Sequence, residues 1–295
     1  HVVGDTIVDS YTRTNLIGGQ TKTPTFSVLY QGKDDYIGGA GIVAQHLSAA
    51  GADVTFSTIL GKDEFGEFVI NGLKEAGVTC DAIIDETRPT TNKNAIIAGG
   101  YRLLKVDTLD NRPISGTILE RLIDGVQNTP ADAVVFADFR HGIFNQHTVP
   151  QLTEAIPSEA YRVADSQVAS RWGNITEFKN FDLITPNERE ARFALGDQDS
   201  TVGTLSSLLY QATECKLLLL KLGERGIFVS KPLDDSDGSS GGYFSIDSFA
   251  KNVVDAVGAG DALLAYATLA MKATGNEAIA SILGSMAAAC ECEFD

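Results

Sequence analysis

A glycine turn followed by an acidic residue stands near the end of the chain, within the segment DAVGAGDALLAYATLAMKA at 255–273. Gly258, Ala259 and Gly260 are small enough to bring backbone N–H groups close to a ligand, and the apolar residues after them predict a helix. The N-terminus of a helix offers unpaired donors and a positive dipole end, which suits a phosphate or a developing anion. Asp261 stands at this point, where a carboxylate can take the proton from an attacking hydroxyl.

Asp261 has two interpretations on this pattern. One makes it a helix cap that only satisfies backbone donors, which is a common use of aspartate. The other makes it the general base of a phosphoryl transfer, in which the neighbouring amides stabilise the transferred group. The letters GAGD alone favour the cap, because short glycine motifs are frequent.

A second pair of polar residues, Asn187 and Glu190, lies three positions apart in the segment TPNEREA. If these residues open a helix, they share one face and can hold a hydrated Mg²⁺ between them. The same spacing is typical of a capping box, with Thr185 or Asn187 as N-cap and Glu190 as its partner. The sequence leaves both interpretations open.

Short apolar segments alternate with helix-like segments along most of the chain. The predicted strands cover residues 2–8, 54–60, 133–137, 161–164, 183–185 and 217–221. The predicted helices cover residues 42–50, 64–76, 115–126, 146–155, 188–195 and 201–213. This alternation predicts an α/β fold with a mainly parallel sheet covered by helices and with ligands at the carboxyl ends of the strands. Asp9 follows the first strand and is expected at this edge, although an aspartate that faces a loop fits as well.

Two polar segments, at about 11–37 and 91–108, interrupt this alternation and carry the period-two pattern of antiparallel strands. We interpret them as a small β-sheet lid, although ordinary surface hairpins fit the pattern equally well. The remainder is predicted to form the α/β core, so that residues 1–295 make one domain. An exposed lid edge favours pairing between two copies of the chain, and we therefore expect a homodimer. The acidic, glycine-rich stretch 231–242 is predicted to be a surface loop.

The composition disfavours several classes of function. A formal charge of −16 and a pI near 4.6 would repel a polyanion, so we expect no nucleic-acid partner. No apolar run approaches the ~20 residues of a membrane span, so we expect no membrane partner. The four cysteines have neither zinc-ligand spacing nor the density of a disulfide scaffold, which predicts reduced thiols and a cytoplasmic protein. The expected ligand is therefore a small molecule.

Several segments resemble the motifs of one enzyme family. The segment D-x-V-G-A-G-D and its small-residue helix resemble the C-terminal signature of the ribokinase-like (PfkB) carbohydrate kinases, and IGGAGIVAQHLSAAGA at 37–52 resembles their first signature. GDTIVDSY at 4–11 resembles the first strand of the family, TPNEREA its N-x-x-E element, and KLGERGIFV the T-x-G-x-x-G segment of its nucleotide site. The resemblance covers nearly the whole chain. It implies a three-layer α/β/α fold and transfer of the γ-phosphate of ATP to a sugar hydroxyl.

The resemblance also implies a role for each matching residue. It makes Asp261 the catalytic base, with Gly258, Ala259 and Gly260 around the transferred phosphate. The residues implied on the sugar side are Asp9, Gly38, Gly39, Asp138 and Asp165. The residues implied on the nucleotide side are Asn187, Lys221, Gly223 and Gly226. Glu190 is implied to support Mg²⁺ through water, and Asp255 matches a position beside a monovalent-cation site in several relatives, so a need for K⁺ stays open.

Within the family, NKNAIIAGGYRLLKVDTLD at 92–110 and ADFRHGIF at 137–144 resemble the kinases that act on heptose 7-phosphate. The chain departs from the family pattern at Gly41, where an asparagine is usual nearby, and at Lys221, where threonine is usual. Lys221 can reach a phosphate, and a solvated lysine at a strand end fits the sequence as well. A sensor of the same fold that has lost the chemistry is the first alternative function. A dinucleotide oxidoreductase is less favoured, because its glycine turn should follow the first strand.

Overall fold

The computed structural model describes residues 1–19, 25–168, 172–231 and 242–293. Its main sheet has nine strands, which are β1 Val2–Gly4, β4 Thr55–Leu60, β5 Thr79–Ile84, β8 Ala133–Asp138, β9 Tyr161–Ser166, β10 Leu183–Ile184, β11 Leu217–Lys221, β12 Ile227–Ser230 and β13 Tyr243–Ile246. They lie side by side in the order β13-β12-β11-β10-β9-β8-β1-β4-β5. All neighbours pair in parallel except β11–β12 and β12–β13, which pair antiparallel.

Helices cover both faces of this sheet, because its strands are apolar on both sides. Val2 belongs to one buried cluster and Val3 to another, as expected when successive side chains point to opposite faces. The Val2 cluster includes residues of α1 Ala40–Ala49, α2 Glu64–Glu75 and α7 Ala259–Thr274, and Ala288 of α8 Glu277–Cys292 packs against it. The Val3 cluster includes residues of α3 Gly116–Asn128, α4 Thr148–Ala155, α5 Glu188–Leu195 and α6 Val202–Thr213. The predicted three-layer α/β/α fold is confirmed.

A second, four-stranded sheet accounts for the two segments that interrupted the predicted alternation. Its strands are β2 Thr6–Gly19, β3 Phe26–Gly39, β6 Asn92–Ala98 and β7 Tyr101–Thr108, in the order β3-β2-β6-β7. The pairs β2–β3 and β6–β7 are antiparallel, whereas β2–β6 is parallel, so the expectation of antiparallel strands is only partly right. All eight residues of β7 are exposed. This sheet is called the small sheet below.

The first predicted strand, 2–8, is wrong as a single element, because the chain divides it between the two sheets. β1 ends at Gly4, where a Cβ atom would collide with the Ala137 carbonyl and the Ala40 methyl group. The next residue, Asp5, is buried and turns the chain with its carboxylate and carbonyl as acceptors. Asp9 consequently lies within β2 of the small sheet and not at the end of a central strand.

The described helices include none that is long and apolar enough to cross a membrane. The predicted surface loop at 231–242 lies outside the described residues except at its two ends.

Candidate active site

Asp261 lies in the first turn of α7 and is only 7% exposed. The N-cap of this helix is Gly258, with φ of 85°, and no side chain caps the helix, so the interpretation of Asp261 as a cap is wrong. Burial, and next the nearby Asp165 carboxylate, raise the pKa of Asp261 to about 8, while the Lys221 ammonium lowers it in part. A carboxylate with a pKa in this range can accept a proton near neutral pH.

The glycine turn before Asp261 is closely packed. Gly258 has a left-handed conformation, and a Cβ atom there would lie 3.0 Å from the Glu291 Oε1 atom of α8. A Cβ atom on Gly260 would lie 3.2 Å from the Lys221 Nζ atom. In the first turn of α7 the Asp261 N–H donates to the Gly258 carbonyl at 2.9 Å and the Ala259 N–H donates to the Ala256 carbonyl at 3.4 Å. The Gly260 N–H and the positive end of the helix dipole are therefore what this turn offers to an anion beside Asp261.

Lys221 is not the solvated lysine that its position at a strand end permitted. Its side chain is 14% exposed, and its Nζ atom lies 3.2 Å from both carboxylate oxygens of Asp165. Burial lowers the pKa of Lys221, but the surrounding carboxylates, Asp165 first, outweigh burial and raise it. Thr185 donates its hydroxyl to Asp165 Oδ1 at 3.1 Å. The sequence analysis offered Thr185 only as a possible N-cap. A polar residue at the end of an apolar strand was the signal that could have placed Thr185 in the site.

Asn187 and Glu190 form the capping box that the sequence offered as the alternative to a metal site. Asn187 Oδ1 accepts the Glu190 N–H at 2.8 Å, and Glu190 Oε2 accepts the Asn187 N–H at 2.7 Å. Burial raises the pKa of Glu190 to about 7, and the Lys221 ammonium opposes this shift. The described residues contain no group of three or more acidic, histidine or cysteine side chains that could hold a metal ion. Glu190 retains free lone pairs that can accept from a water molecule on Mg²⁺. Because the described residues provide no group of three protein ligands, Mg²⁺ fits here through its own water ligands and a bound phosphate.

A cleft of about 680 Å³ runs beside α5 and β11. Its lining includes Asn187, Lys221 and Gly223, three of the four residues predicted on the nucleotide side. Gly226 is not in the lining. It has φ of 81°, and a Cβ atom there would collide with the Ile246 carbonyl, so it closes the turn between β11 and β12.

On the sugar side, the structure brings together Asp9, Gly38 and Gly39. A Cβ atom on Gly38 would collide with the Asp9 carboxylate, and one on Gly39, with φ of 61°, would lie 2.5 Å from the Asp5 carbonyl. Burial raises the pKa of Asp9, and the nearby Lys93 ammonium opposes this shift. The Asp9 carboxylate is also among the charges that raise the pKa of Asp261.

Asp138, also predicted on the sugar side, is buried and its carboxylate is bonded to neighbouring residues. It is 1% exposed, and its oxygens accept from the Arg140 N–H at 2.8 Å and the Ser166 hydroxyl at 2.7 Å. Arg140 Nε lies 2.8 Å from Asp138 Oδ2. Sequence reasoning missed the neighbouring Asp5, which accepts the backbone N–H groups of Phe139, His141 and Ile143. The signal in the sequence that could have indicated Asp5 was its position directly after Gly4, at the end of β1.

Asp255 joins the small sheet to the glycine turn. Its Oδ2 atom lies 2.6 Å from Arg102 Nη2 of β7, and its Oδ1 atom accepts the Val257 N–H at 3.1 Å. Both oxygens of the predicted cation ligand therefore already have partners from the chain.

The family model of the pfkB carbohydrate kinases matches residues 2–293. The chain is 25% identical over 294 residues to the bifunctional protein HldE of Desulfatibacillum aliphaticivorans, which covers 97% of this chain and 58% of the relative. It is 28% identical over 302 residues to the bifunctional protein HldE of Helicobacter pylori, covering 99% and 60%. The chain thus spans somewhat over half the length of these relatives.

Among solved structures, phosphofructokinase-2 from Escherichia coli in complex with potassium matches with a TM-score of 0.79 and 16% identity, covering 100% of this chain and 93% of the other. The same enzyme has also been solved with fructose-6-phosphate. At this identity the match supports the fold alone. The family model, in contrast, covers nearly every residue of the chain, and the chain therefore belongs to the pfkB family of carbohydrate kinases, phosphotransferases that act on an alcohol group.

Proposed function

We propose that the chain uses ATP to phosphorylate a hydroxyl of a sugar or sugar phosphate, with Asp261 as the general base. The observation that carries this proposal is the buried Asp261 carboxylate in the first turn of α7, with its pKa raised to about 8 and no capping role. The family match gives the class of reaction, and this carboxylate supplies the group that such a reaction requires.

The nucleotide is proposed to lie in the cleft beside α5 and β11, with its terminal phosphates against the turn Gly258, Ala259 and Gly260. The cleft volume of about 680 Å³ is within the range of small-molecule sites. Glu190 would hold Mg²⁺ through water ligands, and Asn187 keeps Glu190 in place through the capping box. When bound with the nucleotide, Mg²⁺ neutralises negative charge on the phosphates.

The sugar is proposed to lie between Asp9, Gly38 and Gly39 on one side and Asp261 on the other. Lys93 and Lys105 act on the Asp9 carboxylate from the small sheet, so cations are available for an anionic substrate. Heptose 7-phosphate is accordingly the first substrate to test, and it agrees with the resemblance of residues 92–110 and 137–144. Asp261 would take the hydroxyl proton as the sugar oxygen attacks the γ-phosphorus.

The small sheet is proposed to be a lid on a single kinase domain formed by residues 1–295. Its closure would exclude water, which otherwise competes with the sugar for the phosphoryl group. Its described exposed residues include Leu16, Phe26, Leu29, Tyr101 and Leu104, and apolar surface of this kind favours a homodimer through the lid. Sedimentation measurements test this assembly, and a monomer at micromolar concentration contradicts it.

A cytoplasmic location is also proposed, and the four free cysteines support it.

The function is tested by ADP release with ATP and Mg²⁺ against heptose 7-phosphate, fructose 6-phosphate, fructose and ribose. We expect turnover on one of these compounds and its loss in Asp261→Asn. Binding of ATP without turnover on any sugar would favour the sensor alternative. Reduction of NAD⁺ by any of these sugars would favour the oxidoreductase instead.

A further inference from the structure

We propose that Lys221 contacts the transferred phosphoryl group directly and that Asp165 is the positioning residue for Lys221 and not a sugar ligand. This inference rests on the proposed kinase function. It deepens that function by assigning a catalytic cation at the position where the family usually has threonine.

The location of the Lys221 ammonium supports the first half of the proposal. The Lys221 backbone is fixed by the bond from its N–H to the Pro186 carbonyl at 2.8 Å and by pairing with Ile227 in β12. Its side chain lines the nucleotide cleft, and its Nζ atom lies 3.2 Å from the position of a Cβ atom on Gly260. The ammonium therefore lies between the cleft and the first turn of α7, where the terminal phosphate of a nucleotide would meet Asp261.

The charges around Lys221 explain why its ammonium is available to a phosphate. The Asp165, Glu190 and Asp261 carboxylates all act on it. Its two contacts with Asp165 measure 3.2 Å, which is longer than the about 2.8 Å of a strong bond between ammonium and carboxylate. An ammonium has three donors. An incoming phosphate can therefore gain a short bond to Lys221 without breaking a strong one.

The surroundings of Asp165 support the second half of the proposal. Asp165 is 3% exposed, both of its oxygens face Lys221 Nζ, and Oδ1 also accepts from the Thr185 hydroxyl. These contacts use both lone pairs of Oδ1 and one of Oδ2, so little of this buried carboxylate is left for a sugar hydroxyl. Thr185 and Asp165 thus form a support that holds the ammonium at the end of β11.

The Lys221 ammonium does not change which bonds form and break in the phosphoryl transfer. The bond between the sugar oxygen and the γ-phosphorus forms, the bond from that phosphorus to the bridging oxygen breaks, and the hydroxyl proton passes to Asp261. Lys221 donates hydrogen bonds to the phosphoryl oxygens and keeps its protons. A threonine hydroxyl would supply one neutral hydrogen bond there, whereas the ammonium supplies a full charge.

The test compares Lys221→Met, Lys221→Thr and Asp165→Asn with wild type by calorimetric titration of ATP and AMP and by steady-state kinetics. Lys221→Met should weaken ATP binding by about tenfold while AMP binding stays unchanged, because AMP lacks the terminal phosphates. Its kcat should fall by about 100-fold, with Lys221→Thr between it and wild type. Lys216→Met is the matched control, since Lys216 directly precedes β11, whereas Lys221 ends it. The Lys216 side chain is 77% exposed and pairs with Asp182. This control should change neither quantity.

Asp165→Asn should lower kcat and leave the KM of the sugar unchanged. The double variant with Lys221→Met should be no slower than Lys221→Met alone, because the two residues act as one unit. This double variant also removes both charges of the buried pair, so it checks that the single variants are not merely misfolded.

The outcomes separate this inference from the function on which it rests. A wild-type protein that binds no ATP and phosphorylates no sugar contradicts the kinase function itself. A wild-type kinase whose Lys221→Met variant keeps its kcat and ATP affinity overturns the inference alone. A raised KM for the sugar in Asp165→Asn, with normal ATP binding, would show instead that Asp165 is a sugar ligand.

Discussion

Two buried acidic clusters lie at the carboxyl ends of the central strands, and they differ in how their carboxylates are satisfied. The first, called the Asp138 cluster, contains Asp5, Asp138 and Arg140. Backbone N–H groups and the Ser166 hydroxyl donate to its carboxylates, and Arg140 Nε lies 2.8 Å from Asp138 Oδ2 as an ion pair. The second, called the Asp261 cluster, contains Asp165, Glu190, Lys221 and Asp261. In the second cluster no side chain caps the helix that carries Asp261, and the Lys221 ammonium acts on its carboxylate.

The comparison teaches that burial and a raised pKa do not by themselves indicate a catalytic acid or base. Burial raises the pKa of Asp138 to about 7, close to the value of about 8 for Asp261. Asp138 accepts the backbone N–H of Arg140 and lies 2.8 Å from the Arg140 Nε atom, so its carboxylate stabilises the loop after β8. Asp261 retains acceptor capacity beside an anion-binding helix end, which is where a reaction can use it.

The largest expected effect follows from Asp261→Asn. We expect kcat to fall by about 1000-fold, because the amide cannot accept the hydroxyl proton. ATP should still bind with an affinity close to that of wild type. ADP release and calorimetric titration measure the two quantities, and a kcat within tenfold of wild type would remove Asp261 from the role of base.

The same substitution in the other cluster should affect folding. Asp138→Asn places an NH₂ group against donors from Arg140 or Ser166, which should lower the free energy of unfolding by about 2 kcal/mol. Turnover per folded molecule should stay within about threefold of wild type. Urea denaturation and ADP release measure the two effects. A large loss of turnover without a loss of stability would return Asp138 to the sugar site.

The pH dependence of stability sharpens the comparison further. The pKa of Asp261 is about 8 in the folded chain and near 4 when unfolded, so between these values only the folded state retains the proton. This group therefore stabilises the fold least at high pH. Asp261→Asn should gain stability relative to wild type as the pH rises from about 4 to about 8, and thermal melting should show this. A constant difference across this range would contradict the raised pKa.

The smallest expected effect concerns the contact between the small sheet and the glycine turn. The Arg102–Asp255 pair is partly exposed, with the two side chains 43% and 28% exposed, so Arg102→Met should change the free energy of unfolding by less than about 1 kcal/mol. Arg102 places a fixed positive charge on Asp255, the residue that the sequence predicted beside a monovalent cation. Replacing K⁺ by Na⁺ should then leave the kcat of wild type unchanged and alter that of Arg102→Met. Activation of wild type by K⁺ would contradict this assignment.

The sequence predicted the fold well, because its short apolar strands and regular helices are local patterns. Helix α5 was predicted with the bounds that the structure has, since Asn187 and Gly196 mark its two ends. The division of residues 2–8 between two sheets was not predictable locally, because it depends on contacts of Gly4 and Asp5 with residues more than 100 positions away.

The candidate site was predictable where a motif is contiguous and failed where it depends on packing. The glycine turn and Asp261 were found in one segment, and the capping box of Asn187 and Glu190 was one of two interpretations. The pairing of Lys221 with Asp165 was missed, because the two residues end different strands. The satisfied state of Asp138 was also missed, since neither strand pattern nor motif reports hydrogen-bond partners.

The most direct test of the Asp261 assignment is the pH profile of kcat/KM for the sugar that the enzyme is found to phosphorylate, measured by ADP release from about pH 6 to about pH 10. We predict that kcat/KM rises with pH and levels off, with a midpoint near the Asp261 pKa of about 8. This rise should be absent from the residual activity of Asp261→Asn. A flat wild-type profile, or one whose rise persists in the variant, would contradict the assignment of Asp261 as the base.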